Sequence, residues 1–128
     1  MVEQGYKPKL IIFGDGRRDF VAEAIENFTN FVADKAEILA NCFRGDCAKS
    51  AIIADKADFA VVFGGDGTIL SAARDLSSTS VPVIGVNVGR LGFLAEFSID
   101  DIKKLFNRLT TDPGLIEKRM MLKCTIAN

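Results

Sequence analysis

Three short runs along the chain are apolar without polar alternation: Lys9-Leu10-Ile11-Ile12-Phe13 after its first residue, Phe59-Ala60-Val61-Val62-Phe63, and Val81-Pro82-Val83-Ile84-Gly85-Val86. Unbroken runs of this length, closed by Gly, Asp or Asn, are how strands covered on both faces of a parallel sheet read. The proline stands at the start of its strand, where a missing N–H is tolerated. Between these runs the period changes to that of a helix. From about Asp19 to Lys35, Phe20, Val21, Ala24, Ile25, Phe28, Phe31 and Val32 form one apolar face, which reads as core packing and not as a cofactor box. Thr68 opens a second helix with Ile69, Leu70, Ala73 and Leu76 at helical spacing. Ser98-Ile99-Asp100-Asp101 carries the S-x-x-D capping pattern of a third. There Ile102, Leu105, Phe106 and Leu109 point inward, Lys103, Lys104 and Arg108 form a solvated face, and Asp112-Pro113-Gly114 ends the helix.

The remaining segments fill in the alternation. Ala36 to Ala40 reads as a short strand, Asn41 to Asp46 as a loop, and Cys47 to Ala54 as a short helix with Ala48, Ala51 and Ile52 inward. Strand and helix taking turns predict an α/β fold: a three-layer Rossmann-like domain with a mostly parallel sheet and helices on both faces. Leu115 to Asn128 reads as strand again, with Met120 to Ile126 as its apolar part. An apolar strand with nothing to cover it is an aggregation hazard. The expectation is therefore a fragment: an α/β nucleotide-binding domain over 1–118, then the start of a truncated, otherwise absent β-rich domain over 119–128.

Composition narrows the chemistry. At 128 residues, 48% hydrophobic and 26% charged, the chain has the make-up of one soluble globular domain. A net charge of −1 gives no electrostatic reason to expect nucleic acid or an anionic membrane as partner. No apolar run approaches the roughly 20 residues of a membrane span, and MVEQGYKPK lacks a signal-peptide core, so the default expectation is cytoplasmic. Cys42, Cys47 and Cys124 form neither a pairing pattern nor a metal spacing. The chain has no histidine. That excludes Ser-His and Cys-His nucleophilic systems and His-ligated zinc within it, leaving a carboxylate, Lys, Tyr or thiolate as any general base.

The distinctive chemistry lies where the central strand ends. Gly64-Gly65-Asp66-Gly67 followed by Thr68 joins a buried strand to a helix N-terminus. Loop N–H groups, the helix dipole and missing Cβ atoms together make an anion site. No Gly-Lys-Ser/Thr follows, and GGDGT does not fit G-x-G-x-x-G, so this is neither a Walker loop nor the Rossmann fingerprint. Asp66 is out of place in a phosphate cradle, because two like charges about 4 Å apart at an effective dielectric near 20 repel by about 4 kcal/mol. It is turned away from the phosphates, bound to a bridging cation such as Mg²⁺, or aimed at an acceptor hydroxyl. The last two are the chemistry of phosphoryl transfer. The bland alternative is an ordinary Asp-Gly turn in which Asp caps the helix.

Two further loops leave strand ends. Gly14-Asp15-Gly16-Arg17-Arg18 could hold an anion, but its spacing matches no phosphate motif, and it reads as a plain strand-to-helix turn. The run from Asn87 to Leu94, NVGRLGFL, begins where open α/β sheets place ligands. Asn87 offers donor and acceptor groups for a ribose or an amide, and Gly89 and Gly92 allow tight turns. Phe93 and Leu94 form either a wall for a flat base or, with Leu91, a plug for the core.

Taken together, FGGDGTIL, SVPVIGVNVGRLGFLAEF and KRMMLKC resemble the N-terminal domain of NAD kinases. GGDGT alone is shared with diacylglycerol and sphingosine kinases, and a related loop with 6-phosphofructokinases. The G-x-N-x-G-x-L-G-F-L run from Gly85 to Leu94 is the part that resembles NAD kinases specifically. The resemblance runs from about Lys9 to the C-terminus and is weakest between Gly14 and Ala57. It implies transfer of phosphate from ATP, with Mg²⁺, to the adenosine-ribose 2′-hydroxyl of NAD, giving NADP. It implies Asp66 as the residue that activates that hydroxyl, Gly64, Gly65, Gly67 and Thr68 as the phosphate loop, and Asn87, Phe93 and Leu94 at the dinucleotide site, with Gly89 and Gly92 shaping it. It also implies a site between the α/β domain and a β-rich domain, and a dimer or tetramer. The family's Asn-Glu or Asn-Asp pair in the second domain has no counterpart here, so the 128-residue chain alone is expected to be inactive. The rival readings are a diacylglycerol or sphingosine-type lipid kinase, against which stands the lack of a basic amphipathic helix, and a non-catalytic nucleotide-binding module, which would not need the carboxylate.

Overall fold

The computed structural model describes residues 7–42, 56–77, 79, 81–88 and 97–112. Within them the chain runs β1 (Lys9–Gly14), α1 (Asp19–Val32), β2 (Glu37–Cys42), β3 (Phe59–Gly64), α2 (Asp66–Asp75), β4 (Val83–Asn87) and α3 (Ile99–Thr111). The expected helix at Cys47–Ala54, the strand of the tail and the 119–128 boundary lie outside the described residues.

All pairings between these strands are parallel, in the order β2-β1-β3-β4. The central strands β1 and β3 are the most apolar, and Leu10 to Phe13 and Phe59 to Phe63 are buried throughout. A strand pleats its side chains to alternate faces, so the unbroken runs feed two cores at once. Leu10, Ile12, Val61 and Phe63 pack beneath α1 and α3 through Val21, Phe28, Ile102 and Phe106. Ile11, Phe13, Ala60 and Val62 meet Ile69, Ala72 and Leu76 of α2 on the opposite face. This is the expected three-layer α/β arrangement. Phe28 ties the first layer together, with its ring 5.4 Å from Phe63 and 5.9 Å from Phe106.

Several boundaries and faces differ from the sequence reading. Helix α1 stops at Val32, and the chain turns through Ala33 to Lys35, with both Lys35 and Ala36 N–H groups donating to the Val32 carbonyl at 2.8 Å. Strand β2 is shifted to Glu37–Cys42, so Asn41 and Cys42, read as loop, pair with Ile12 and Phe13. A slip between Leu10 and Ile11 leaves Leu39 as the extra residue of a bulge, which is why this edge strand does not alternate cleanly. Phe20 and Leu70, assigned to inward faces, are 48% and 51% exposed. The buried stripes are Val21-Ala24-Phe28-Val32 and Ile69-Ala72-Leu76, and each outlier sits one residue, about 100°, off its stripe. Helix α2 starts at Asp66, two residues before Thr68, and β4 starts at Val83, one residue past the proline.

Gly14 ends β1 where α1 crosses it. A Cβ there would lie 2.9 Å from Ile25 Cδ1 and 3.3 Å from the Phe63 carbonyl oxygen, so a larger residue would need the Ile25 side chain to move and the contact with β3 to ease slightly.

Helix α3 carries the capping box read from the sequence: the Asp101 N–H donates to Ser98 Oγ and the Ser98 N–H to the Asp101 carboxylate, both at 3.1 Å. The backbone bond from Ser98, then its side-chain bond, hold the Asp101 carboxyl below the usual carboxylate range. A depressed folded-state pKa gives stability that is present above the unfolded value and lost as pH falls through the folded one. Ser98→Ala is expected to cost about 1 kcal/mol at neutral pH. That difference should shrink when melting temperatures of both proteins are compared at acid pH, where Asp101 is protonated.

Candidate functional site

The order β2-β1-β3-β4 reverses direction between β1 and β3: the chain steps from β1 out to β2, then returns to β3 on the other side. Ligands of open α/β sheets settle beyond the carboxyl ends of the strands at such a switch point. Three loops meet there. Gly14 pairs in register with Phe63, and Gly64 with Asn87, so GDGRR, GGDGT and the start of NVGRLGFL leave the sheet side by side.

The middle loop is built on Gly64. Its φ of 155° lies where L side chains are strained, and a Cβ would fall 2.8 Å from Thr68 Oγ1 and 2.9 Å from Thr68 Cβ. The loop thus closes on the side chain of its own last residue. Gly65 is extended and its carbonyl accepts the Ile69 N–H at 3.1 Å, the first turn of α2. Gly65 and Gly67 have nothing among the described residues within 4 Å of an added Cβ, so the packing around them does not require glycine. Their missing side chains leave open space beside a helix N-terminus. Asp66 is the first residue of α2, half-buried and engaged by neighbouring groups. A carboxylate there is favoured by the helix dipole.

Asn87 ends β4. Its backbone N–H donates to the Phe97 carbonyl at 2.7 Å, and the Val88 N–H reaches the Gly64 carbonyl at 3.4 Å. Its Oδ1 is buried and, among the described residues, has no hydrogen-bond partner. A buried acceptor without a donor costs roughly 1–3 kcal/mol, which a ligand or a further segment that supplies the donor recovers. Gly89, Gly92, Phe93 and Leu94 lie outside the described residues.

A cleft of about 570 Å³ opens between the first two loops. Phe13, Gly14, Asp15 and Arg18 form one wall, Gly67, Thr68, Ser71 and Asp75 the other, with Cys42 between them. Asp66 is not part of this lining; Gly67 and Thr68 bring the glycine loop to it. The GDGRR loop proves to be both a turn and a wall. Asp15 accepts from the Arg17 backbone at 3.1 Å and from its Nε at 3.0 Å, and this bond lowers the Asp15 pKa. Arg17 is thus taken up by the turn, while Arg18 lines the cleft. The sequence held no motif for Arg18 or Ser71, because their meeting depends on the strand order.

No cluster of three or more His, Cys, Asp or Glu residues that could hold a metal occurs among the described residues. Asp66 is a single carboxylate beside a loop suited to phosphate. That fits Mg²⁺, which keeps several waters and is held by one or two carboxylates plus substrate phosphates. No helix among the described residues is long and apolar enough to cross a membrane.

Comparison with known proteins agrees with this geometry. A family model described as the ATP-NAD kinase N-terminal domain matches residues 47–113, just over half of the chain. The chain is 42% identical over 86 residues to an NAD kinase of Lachnoclostridium phytofermentans, covering 67% of this chain and 30% of that protein. Against an NAD kinase of Clostridium kluyveri it is 36% identical over 107 residues, 84% of this chain and 36% of that one. Against one from Trichlorobacter lovleyi it is 45% identical over 74 residues, 58% of this chain and 26% of the relative. The chain therefore spans about a third of the length of the curated relatives it matches.

Proposed function

Because the chain belongs to the ATP-NAD kinase family, through the N-terminal domain of that family, we propose that it serves in transfer of the γ-phosphoryl group of ATP to the adenosine-ribose 2′-hydroxyl of NAD, giving NADP. One observation carries this reading beyond family membership. Gly64 and Asn87 are register partners, and the orphaned Asn87 Oδ1 stands beside the glycine loop. A buried acceptor next to a phosphate loop suits a substrate that brings both phosphate and hydroxyl donors, as a dinucleotide does.

In this reading the N–H groups of the Gly64–Thr68 loop and the α2 dipole neutralise the phosphate charge that develops in transfer. Asp66 accepts or directs the proton of the attacking hydroxyl. Asn87 Oδ1 accepts from a ribose hydroxyl and fixes the sugar. Gly89, Gly92, Phe93 and Leu94 are assigned to the dinucleotide wall on the strength of the motif they share with the family. Mg²⁺, when bound with ATP, supplies charge neutralisation at the phosphates, and Asp66 is the carboxylate placed to hold it. The relatives are long enough to carry a β-rich domain, which we assign to begin over 119–128 and to complete the site, in a cytoplasmic homodimer or homotetramer.

The test is to supply the full-length protein with ATP and, in separate reactions, NAD, diacylglycerol or fructose 6-phosphate. NADP, read by an NADP-specific dehydrogenase, is the expected product. Phosphorylation of diacylglycerol with no NADP formed would overturn the assignment.

A further inference from the structure

Asn87 ends the last strand in the sheet order, with β3 on one side of it only. A side chain that is to fix a ribose needs its backbone held from the other side as well. We propose that Phe97 is the positioning residue that does this: its main chain clamps the end of β4, and its ring anchors that clamp in the core. The inference rests on the kinase reading and deepens it by naming the residue through which Asn87 is presented to NAD.

The clamp is made of backbone bonds on both flanks of Asn87. On the β3 side Asn87 pairs in register with Gly64, and the Val88 N–H reaches the Gly64 carbonyl at 3.4 Å. On the other side the chain comes back to β4 at Phe97, in a parallel bridge with Val86. There the Asn87 N–H donates to the Phe97 carbonyl at 2.7 Å, and the Phe97 N–H to the Gly85 carbonyl at 3.4 Å. Phe97 thus grips the residues before and after Val86, whose own side chain is fully buried. Val62 packs on the α2 face, and alternation along β3 and its register with β4 put Asn87 on that face too. The side chain whose Oδ1 lacks a donor therefore springs from a backbone fixed on either flank. The same bond holds both ends of the stretch that carries Gly89, Gly92, Phe93 and Leu94, since the chain departs β4 at Val88 and is back beside it at Phe97.

Helix α3 keeps Phe97 in this place. Ser98 is the N-cap of that helix, so Phe97 stands just before the cap and Ile102 one residue past Asp101, the two positions of a hydrophobic staple. Ile102 is fully buried, and Phe97, half-buried, packs against the core cluster that holds Ile102, Val86 and Phe106. The capping box between Ser98 and Asp101 locks the turn that joins them. A plain core-filling role would describe Phe31 equally well, for it too is partly buried against this cluster. Of the two, Phe97 alone is bonded through its main chain to Asn87. The ring buried at the start of α3 and the amide that carries the site's orphaned acceptor are parts of one rigid connection.

The experiment uses the full-length protein. In Phe97→Ala, KM for NAD at saturating ATP should rise about tenfold, while KM for ATP at saturating NAD stays within about twofold. Phe97→Leu, which keeps an apolar staple, should return KM for NAD to within about threefold of wild type. Phe31→Ala, the control for lost core packing, should move neither constant. Because Phe97 acts through Asn87, adding Phe97→Ala to Asn87→Ala should raise KM for NAD no further than Asn87→Ala does alone. An unchanged KM for NAD in Phe97→Ala, an equal rise in both constants, an equal rise with Phe31→Ala, no recovery in Phe97→Leu, or additive effects in the double variant would overturn the proposal. Should Phe97→Ala fail to fold, Phe97→Val takes its place and is judged by the same outcomes. If the wild-type protein makes no NADP at all, the kinase reading has failed on its own account, and the clamp is read by amide hydrogen exchange. The Asn87 N–H should then exchange about tenfold faster in Phe97→Ala than in wild type or Phe31→Ala. Equal protection of that amide in the three proteins overturns it.

Discussion

Full-length protein carrying Asp66→Asn is expected to lose a hundred- to ten-thousandfold of its NADP-forming rate, the range for removal of a positioned general base. Asparagine keeps the shape of the side chain but can neither take up a proton nor neutralise a cation. The fold should survive the change. Asp66 opens α2 and is only half-buried, and its bond to the helix dipole is worth roughly 0.3–1 kcal/mol. Single-turnover rates with saturating ATP and NAD, beside a melting curve, separate the two effects. A loss of less than tenfold with an unchanged melting temperature would remove Asp66 from the chemistry. It would leave the carboxylate as a helix-capping charge, the bland reading of an Asp-Gly turn.

Gly64→Ala is the largest expected effect on stability. A non-glycine residue at a φ of 155° costs about 1–3 kcal/mol, and forcing a methyl to within 2.8 Å of Thr68 Oγ1 costs a further 1–3 kcal/mol. A total of about 2–5 kcal/mol is a large part of the 5–15 kcal/mol by which ordinary domains are stable. The clash has a named partner, so it can be checked by a double-mutant cycle in urea. Thr68→Ala removes the nearest atom but leaves Cβ at 2.9 Å, so the double variant should recover part of the loss, by about 0.5 kcal/mol or more. Gly65→Ala and Gly67→Ala, with open space among the described residues, should leave stability almost unchanged. A Gly64→Ala protein as stable as wild type would mean that the loop does not close on Thr68.

Much of this architecture was legible in the residues themselves. Strands β1 and β3 are buried on both faces, and nothing but an unbroken apolar run satisfies that, so the sequence could not disguise them. The capping box at Ser98 and Asp101 was equally plain, because its chemistry is local. Phe20 and Leu70 were misread for the opposite reason. Each lies within one residue of a buried stripe, and hydrophobicity alone does not say which neighbour the core has room for. Strand β2 was blurred by a bulge whose cause, the pairing with β1, is remote in sequence. At the site, Gly64, Asp66 and Thr68 announced themselves through spacing, and Asn87 through its place at a strand end. Arg18 was visible only as part of a loop that could hold an anion but matched no motif, and Ser71 not at all, since they sit on the β1–α1 turn and on α2, and only the order of the strands brings them to one cleft.

Gly14 has a consequence of its own. Ile25 Cδ1 and the Phe63 carbonyl oxygen lie 2.9 and 3.3 Å from the position of its absent Cβ, so α1 packs its Ile25 side chain closely over the end of β1. The Arg18 turn hangs from the front of that helix. The absence of a side chain at residue 14 thus bears on where α1 and the turn before it sit, and so on the width of the cleft that Gly14 itself helps to line.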